Sequence, residues 1–221
     1  LSAESDGNMR PRPIPPDAEH IATLPPFTPL TLEHIHVPAT ADECAKAAAE
    51  ISRHGYVGFD TESKPTFHKG EASTGPHVVQ FATSERAWLF QVNNPASRAA
   101  IASLLGSTTT VKVGFGLKSD RSHIRARLGA PLRAVLDLTT WFRQEGYRNE
   151  IGVKTAVAIV LGQQFSKSKR MSTSNWSLPT LSSGQQVYAA NDAYGAIAVF
   201  NALNAGAAGA ERRWPITGLD D

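Results

Sequence analysis

Two carboxylates close an apolar run in GYVGFDTES, Gly55–Ser63. Residues two apart in a β-strand share a face, so Asp60 and Glu62 project together, roughly 6 to 7 Å apart along the backbone, and their like charges repel. A third carboxylate stands in KVGFGLKSDRSHI, where Gly114 and Gly116 make a tight strand-to-helix turn and Asp120 falls in the first helical turn. In LSSGQQVYAANDAYGAIAVF, Tyr188 and Asp192 are four apart and so share one helical face. The chemistry open to such a set is that of hard oxygen ligands for a cation and of proton handling at a phenol. Each element alone also fits an ordinary role: a hydrated strand end, an aspartate favoured by free helix N-terminal amides, an exposed aspartate beside a core tyrosine. The glycines near Asp120 do not form a dinucleotide loop, because Ser119 occupies the position that would complete GxGxxG and the preceding strand is not the first.

The elements that must position these residues follow from patterning. Proline recurs from Pro11 to Pro38, too often for a helix or central strand, which predicts an extended arm lying on the folded body or trailing from it. After Pro38, Thr40 with Glu43 three residues on announces a helix that glycine closes at Gly55. GYVGFDTES, HVVQFATS and AWLFQV then read as consecutive antiparallel strands. Beyond them a helix (Asn94 to Leu105), a strand (Thr109 to Phe115), a helix (Lys118 to Leu128), a strand (Ala134 to Asp137) and further helices alternate. Three meandering strands followed by α/β alternation predict an α/β fold with a mixed sheet flanked by helices. Leu181 as staple, Ser182 as cap and Gln185 mark the start of the helix carrying Tyr188 and Asp192, where small Ala189, Ala190 and Ala193 permit close packing on a sheet.

Composition bounds the rest. The 221 residues with 41% hydrophobic content suffice for one good core and contain no run long enough to span a membrane. Net charge is only +2, so nucleic-acid binding would need a local basic patch. The single cysteine, Cys44, excludes an internal disulfide framework and fits an intracellular, cytoplasmic or nuclear, setting. No basic-then-apolar signal pattern opens the sequence, and a start at Leu1 reads as a piece of a longer protein, so that the natural N-terminus and any targeting segment are not read from it.

Asp60, Glu62, Asp120 and Asp192, with Tyr188, occur in an order that resembles the tyrosine-bearing subclass of DEDD exonucleases, a family that includes ribonuclease D, the Werner syndrome exonuclease domain and polymerase proofreading domains. GFDTES resembles the first exonuclease motif, VGFGLKSDRSHI the second and YAANDAY the third. SNWSLPTLSSGQQVYAANDAY and HVVQFATSERAWLF are more similar to Werner-like and bacterial members than to proofreading domains. The resemblance spans Leu32 to Ala205 and implies a ribonuclease H-like fold. It implies that Asp60, Glu62, Asp120 and Asp192 hold two divalent cations, Mg²⁺ or Mn²⁺, and that the protein hydrolyses DNA or RNA from a free 3′ end, releasing nucleoside 5′-monophosphates. Oxygen ligands from separate elements suit such ions, and Tyr188 would orient the attacking water or help deprotonate it. The chain then divides into an arm (1–31), an exonuclease domain (32–208) and a tail (209–221). The rival expectation is a nucleic-acid-binding or scaffold module that keeps the fold without turnover; retention of all five residues speaks against it.

Other residues are weaker candidates. Lys167, Lys169, Arg170 and Trp176 in QQFSKSKRMSTSNW have the composition of a surface that grips a nucleic-acid backbone and stacks a base. Arg121, Arg125 and Arg127 follow Asp120 and could steer the scissile strand, while His68 and Lys69 join the first two strands beside the site. His123, Trp88, Trp141 and Trp214 read as packing or surface residues. Without metal, the clustered carboxylates are expected to have nothing to neutralise them.

Overall fold

Thr40 and Ser182 act at the helix starts as their spacing predicts. Each side chain accepts a hydrogen bond from the backbone three residues on, and Glu43 and Gln185 reach back to the cap amides, closing two capping boxes. The computed structural model describes residues 12–66, 73–206 and 213–219. In chain order these form α1 (Ala18–Thr23), β1 (Ile35–His36), α2 (Ala41–Ile51), β2 (Tyr56–Glu62), β3 (Val78–Ala82), β4 (Ala87–Gln91) and α3 (Arg98–Gly106). Then come β5 (Val111–Gly114), α4 (Leu117–Leu128), β6 (Val135–Asp137), α5 (Leu138–Gln144), α6 (Val153–Leu161), α7 (Lys169–Ser172) and α8 (Ser183–Ala205).

The strands make one six-stranded sheet in the order β1-β4-β3-β2-β5-β6. Strands β2, β3 and β4 pair antiparallel, as the meander predicts, whereas β5 and β6 extend the sheet in parallel from the other edge of β2. Alternation along the strands divides the interior. Phe59, Phe81 and Phe90 bury one face under α2, α3 and α4; Val78, Leu89 and Val113 bury the other under α5, α6 and α8. Strand β2 is central, so the ends of its neighbours flank whatever its last residues carry.

The close seating of α8 comes from small residues on both sides. Ala189, Ala190 and Ala193 are fully buried, and a Cβ added at Gly58 would lie 1.9 Å from the Ala193 carbonyl oxygen. Only glycine lets the helix backbone approach β2 this closely.

Several boundaries differ from the sequence expectation. The arm is not wholly extended: Pro15 and Pro16 precede Asp17, whose side chain accepts from the His20 amide at 2.8 Å and starts the short α1. The described part of the arm is also fastened down. Leu30 is buried, Phe27 packs on Phe165 and Tyr194, and residues 25–27 hydrogen-bond Gln164. The helix expected from Asn94 begins as a 3₁₀ turn, with Asn94 capping it, and becomes α-helical at Arg98. At the other end, Thr217 bridges Val135 antiparallel and covers the edge of β6, while Trp214 packs on Trp141 and Phe200.

Candidate active site

Strand β2 leaves the core at Asp60, and the two carboxylates on its α8-facing side meet the helix where Gly58 brings it close. Among the described residues, Asp60, Glu62 and Asp192 each offer a carboxylate oxygen, and these oxygens lie within 4.8 Å of one another. Asp192 is 4% exposed although ionisable side chains are rarely buried this far without a partner. The fourth acid is fixed from α4. Asp120 accepts a hydrogen bond from the hydroxyl of Thr61, which sits between Asp60 and Glu62 but points to the opposite side of the strand. Asp120 stands outside the trio, yet its charge still acts on Asp60.

Crowding and burial govern the protonation of the set. Burial first, then the charges of Asp192 and Asp120, raises Asp60 well above the ordinary carboxylate value. Glu62 is pushed to about 9 by burial and then by Asp60. Burial raises Asp120 against the opposing Thr61 hydrogen bond, and raises Asp192 against the charge of Lys167. Carboxylates that resist ionisation alone, with oxygen-only donors drawn from separate elements, fit a hard divalent cation, which would repay the repulsion.

The expectation of a bare acidic cluster is corrected by Lys167. Its ammonium lies 2.7 Å from Asp192 Oδ2 and 5.4 Å from the centroid of the Tyr188 ring. Burial disfavours this charge, but Asp192, Tyr188 and Asp60 together carry its pKa above the ordinary lysine value. No local pattern distinguishes Lys167 from Lys169 or Arg170 in the sequence; the turn after buried Phe165 aims it inward, while those two stay exposed on α7.

Tyr188 stands one helical turn before Asp192. Burial and the Asp192 charge push its hydroxyl up to about 12, so at neutral pH it is a hydrogen-bond donor. Trp176 corrects the expectation of an exposed base-stacking ring: it is 1% exposed and packs 5.9 Å from the Tyr188 ring, supporting the site from within the core. His68 and Lys69 lie outside the described residues. His123 and the three arginines of α4 are exposed, Arg121 bonding Thr217 at 3.0 Å and Arg127 bonding Asn93 at 2.8 Å.

Two positioning residues escape the sequence patterns. Gly116, the residue before α4, has no side chain to cap it, and Asp137 takes over that role from β6. Its carboxylate accepts from the amides of Gly116 at 3.1 Å, Leu117 at 2.9 Å and Thr139 at 3.0 Å, holding the starts of α4 and α5 together. Asn191 clamps the arm to α8, accepting from the Leu30 amide at 2.8 Å and donating to the Leu30 carbonyl at 3.1 Å. Asp at the end of a predicted strand was the only available signal for the first; nothing marks the second.

Asp192 lines two cavities. One of about 210 Å³ also holds Asp60, Lys167, Gly116 and Glu150. The other, of about 680 Å³, runs between the arm and α8 and is lined by Phe27, Pro29, Phe165, Met171, Val187 and Tyr188. A polar, carboxylate-lined hollow and a larger apolar groove that share Asp192 as a wall suit a ligand with both charged and flat apolar parts.

A six-stranded mixed sheet with helices on both faces, and an acidic cluster where its central strand meets α8, define an α/β protein of ribonuclease H-like fold. The family model described as 3′-5′ exonuclease matches residues 35–206, and the chain belongs to that family. The chain is 28% identical over 170 residues to the bifunctional 3′-5′ exonuclease/ATP-dependent helicase WRN of Mus musculus, covering 74% of this chain but 12% of that protein. Among solved structures, the Aedes aegypti Nibbler EXO domain aligns with a TM-score of 0.69 at 21% identity, over 82% of this chain and 93% of that one. Trypanosoma brucei RNase D in complex with RNA U12 aligns with a TM-score of 0.67 at 19% identity, over 84% of this chain and 64% of that one. At these identities the solved structures show the shared fold. Among the described residues, no helix is long and apolar enough to cross a membrane.

Proposed function

We propose that the protein is a divalent-metal-dependent 3′-to-5′ exonuclease of the tyrosine-bearing DEDD subclass, acting on DNA or RNA with a free 3′ end and releasing nucleoside 5′-monophosphates. The observation that carries this reading is the convergence of Asp60, Glu62 and Asp192 oxygens within 4.8 Å, one helical turn from Tyr188. The proposed ligands are Asp60, Glu62, Asp120 and Asp192, for two Mg²⁺ or Mn²⁺ ions per site. Bound there, such ions would activate the attacking water and neutralise charge on the leaving oxygen during in-line displacement.

The residues of the chain supply the rest. Asp60 and Glu62 offer their charges from one strand face, so the ligand set is rigid along β2. Asp120 is held in place by Thr61 and, through the start of α4, by Asp137. Tyr188, one helical turn from Asp192, orients the attacking water or helps to deprotonate it. The apolar groove beside Tyr188 accepts the terminal nucleoside while the carboxylate-lined cavity faces its phosphate. Residues 32–208 form the proposed catalytic unit; from the arm (1–31), Pro26, Phe27 and Pro29 wall the groove, and from the tail (209–221), Thr217 covers the sheet edge. Lys169 and Arg170 are proposed contacts to the nucleic-acid backbone.

The test is digestion of single-stranded DNA and RNA oligonucleotides, one set carrying a 5′ label and a second set labelled throughout the strand, with Mn²⁺ or with EDTA. The reading expects a ladder shortening from the 3′ end and mononucleotide products with metal alone. Fragments of several nucleotides, release from the 5′ end, or binding without cleavage would contradict it; the last would favour a non-catalytic module.

A further inference from the structure

Lys167 is built differently from the exposed cations around it. It leaves the fold between buried Phe165 and α7, on a stretch whose residues 166–170 are exposed, and its side chain keeps 35% of its surface in solvent. Only the tip turns inward. There the ammonium bonds Asp192 Oδ2 at 2.7 Å, on a carboxylate 3% exposed, and lies over the Tyr188 ring. Asp192 is one of the trio whose oxygens stand within 4.8 Å, so this single positive charge sits against the group best placed to draw in a cation.

The arrangement cannot persist unchanged once a divalent ion arrives. An ion held by Asp192 and Asp60 would place two positive charges beside each other in a partly buried site, where screening is weak. Asp192 is anchored on α8 and cannot retreat. Lys167 can, because its stem is unbranched, flexible and already in solvent. Its side chain lines the carboxylate-lined cavity, so an ammonium that leaves Asp192 remains within reach of a phosphate oxygen brought there by substrate.

We propose that Lys167 is a tethered counter-cation with two successive partners: it neutralises Asp192 in the metal-free protein, yields that carboxylate to the divalent ion, and then holds the phosphate of the terminal nucleotide. The inference rests on the acidic cluster being the metal site. It makes metal and lysine competitors at Asp192, and lysine and substrate allies at the phosphate. Removal of the lysine charge therefore acts with opposite signs on the two ligands, a signature that a packing residue does not produce.

The experiment is isothermal titration calorimetry at pH 8 on the wild type, Lys167→Met, Lys167→Arg and, as an exposed control, Lys154→Met. Mn²⁺ alone is the first ligand, and adenosine 5′-monophosphate in saturating Mn²⁺ the second. Lys167→Met is expected to bind Mn²⁺ about tenfold more tightly and the nucleotide about tenfold more weakly. Lys167→Arg, which keeps the charge, and Lys154→Met should both stay close to wild type for Mn²⁺. Unchanged or weaker Mn²⁺ binding by Lys167→Met overturns the proposal, as does tighter Mn²⁺ binding with unaltered nucleotide affinity. A wild type that binds no Mn²⁺ would defeat the metal-site reading and this inference together; a wild type that binds it with the same affinity as Lys167→Met would defeat the inference alone. Loss of folding in Lys167→Met would appear as lost binding of both ligands and would count against a removable counter-ion, with Lys167→Arg showing whether charge or shape was at fault.

Discussion

Replacing Glu62 by Gln in metal-free protein isolates the electrostatic cost of the cluster. Burial and Asp60 move the Glu62 carboxyl from 4.5 to about 9, so between these values the native state holds a proton that the unfolded chain has released. The stability from that proton is fully present below pH 4.5 and is lost as pH rises through about 9. The slope for one group is at most about 1.4 kcal/mol per pH unit, or roughly 3 kcal/mol between pH 5.5 and 8. Sharing of the proton with Asp60 reduces this to an expected change on the order of 2 kcal/mol. Other groups pull the opposite way: burial lowers His77, and lowers Lys112 to about 7, so both favour the native state as pH rises through their ranges. Their contributions cancel when wild type and Glu62→Gln are compared at each pH. Urea unfolding in EDTA at pH 5.5 and 8 is the assay. The variant should gain on the wild type by about 2 kcal/mol as pH rises, and Mn²⁺ at pH 8 should favour the wild type instead, because it retains the ligand. A stability difference that does not change with pH, or that moves against the variant, would refute the argument that Glu62 is held in a cluster of carboxylates.

Asp120→Ala should abolish turnover while the protein remains folded, since the side chain sits at the half-buried start of α4 and removes little core volume; single-turnover assays with circular dichroism of the same sample check both halves. Tyr188→Phe should slow kcat by roughly 10² to 10⁴-fold with Mn²⁺ affinity retained, the usual worth of one group that handles or orients a proton. Gly58→Ala should cost roughly 3 kcal/mol or more in denaturant unfolding, because the new methyl would lie 1.9 Å from the Ala193 carbonyl and force α8 away from β2. It should also weaken Mn²⁺ binding, since Asp192 moves with the helix.

What was legible in the sequence was local. The capping boxes at Thr40 and Ser182 mark helix starts because side chain and amide are three residues apart in the chain itself. The alternation ending at Asp60 and Glu62 shows that both face one side, and the alanines beside Asp192 show that its helix packs closely. The order of these residues then carried the family. What was not legible depends on contacts between distant segments. Lys167 reaches Asp192 through an exposed turn whose path is set by Phe165 packing on Phe27 of the arm. Trp176, read as a stacking surface because of its basic neighbours, is buried by α8 and Tyr188 instead. Lys112 is buried although it is a lysine, because the carbonyls of Ser107 and Thr110 accept from its ammonium at 2.7 and 2.9 Å. Asp137 caps a helix that begins some twenty residues earlier, a partnership that only the pairing of β5 with β6 creates.

Anomalous diffraction from crystals grown with Mn²⁺ locates the metal ions without reference to activity. Manganese is expected at coordination distance from oxygens of Asp60, Glu62 and Asp192, with a second ion held with the help of Asp120 and the Lys167 ammonium withdrawn from Asp192. Manganese bound elsewhere, or an intact Lys167 to Asp192 ion pair with no anomalous density among these carboxylates, would contradict it.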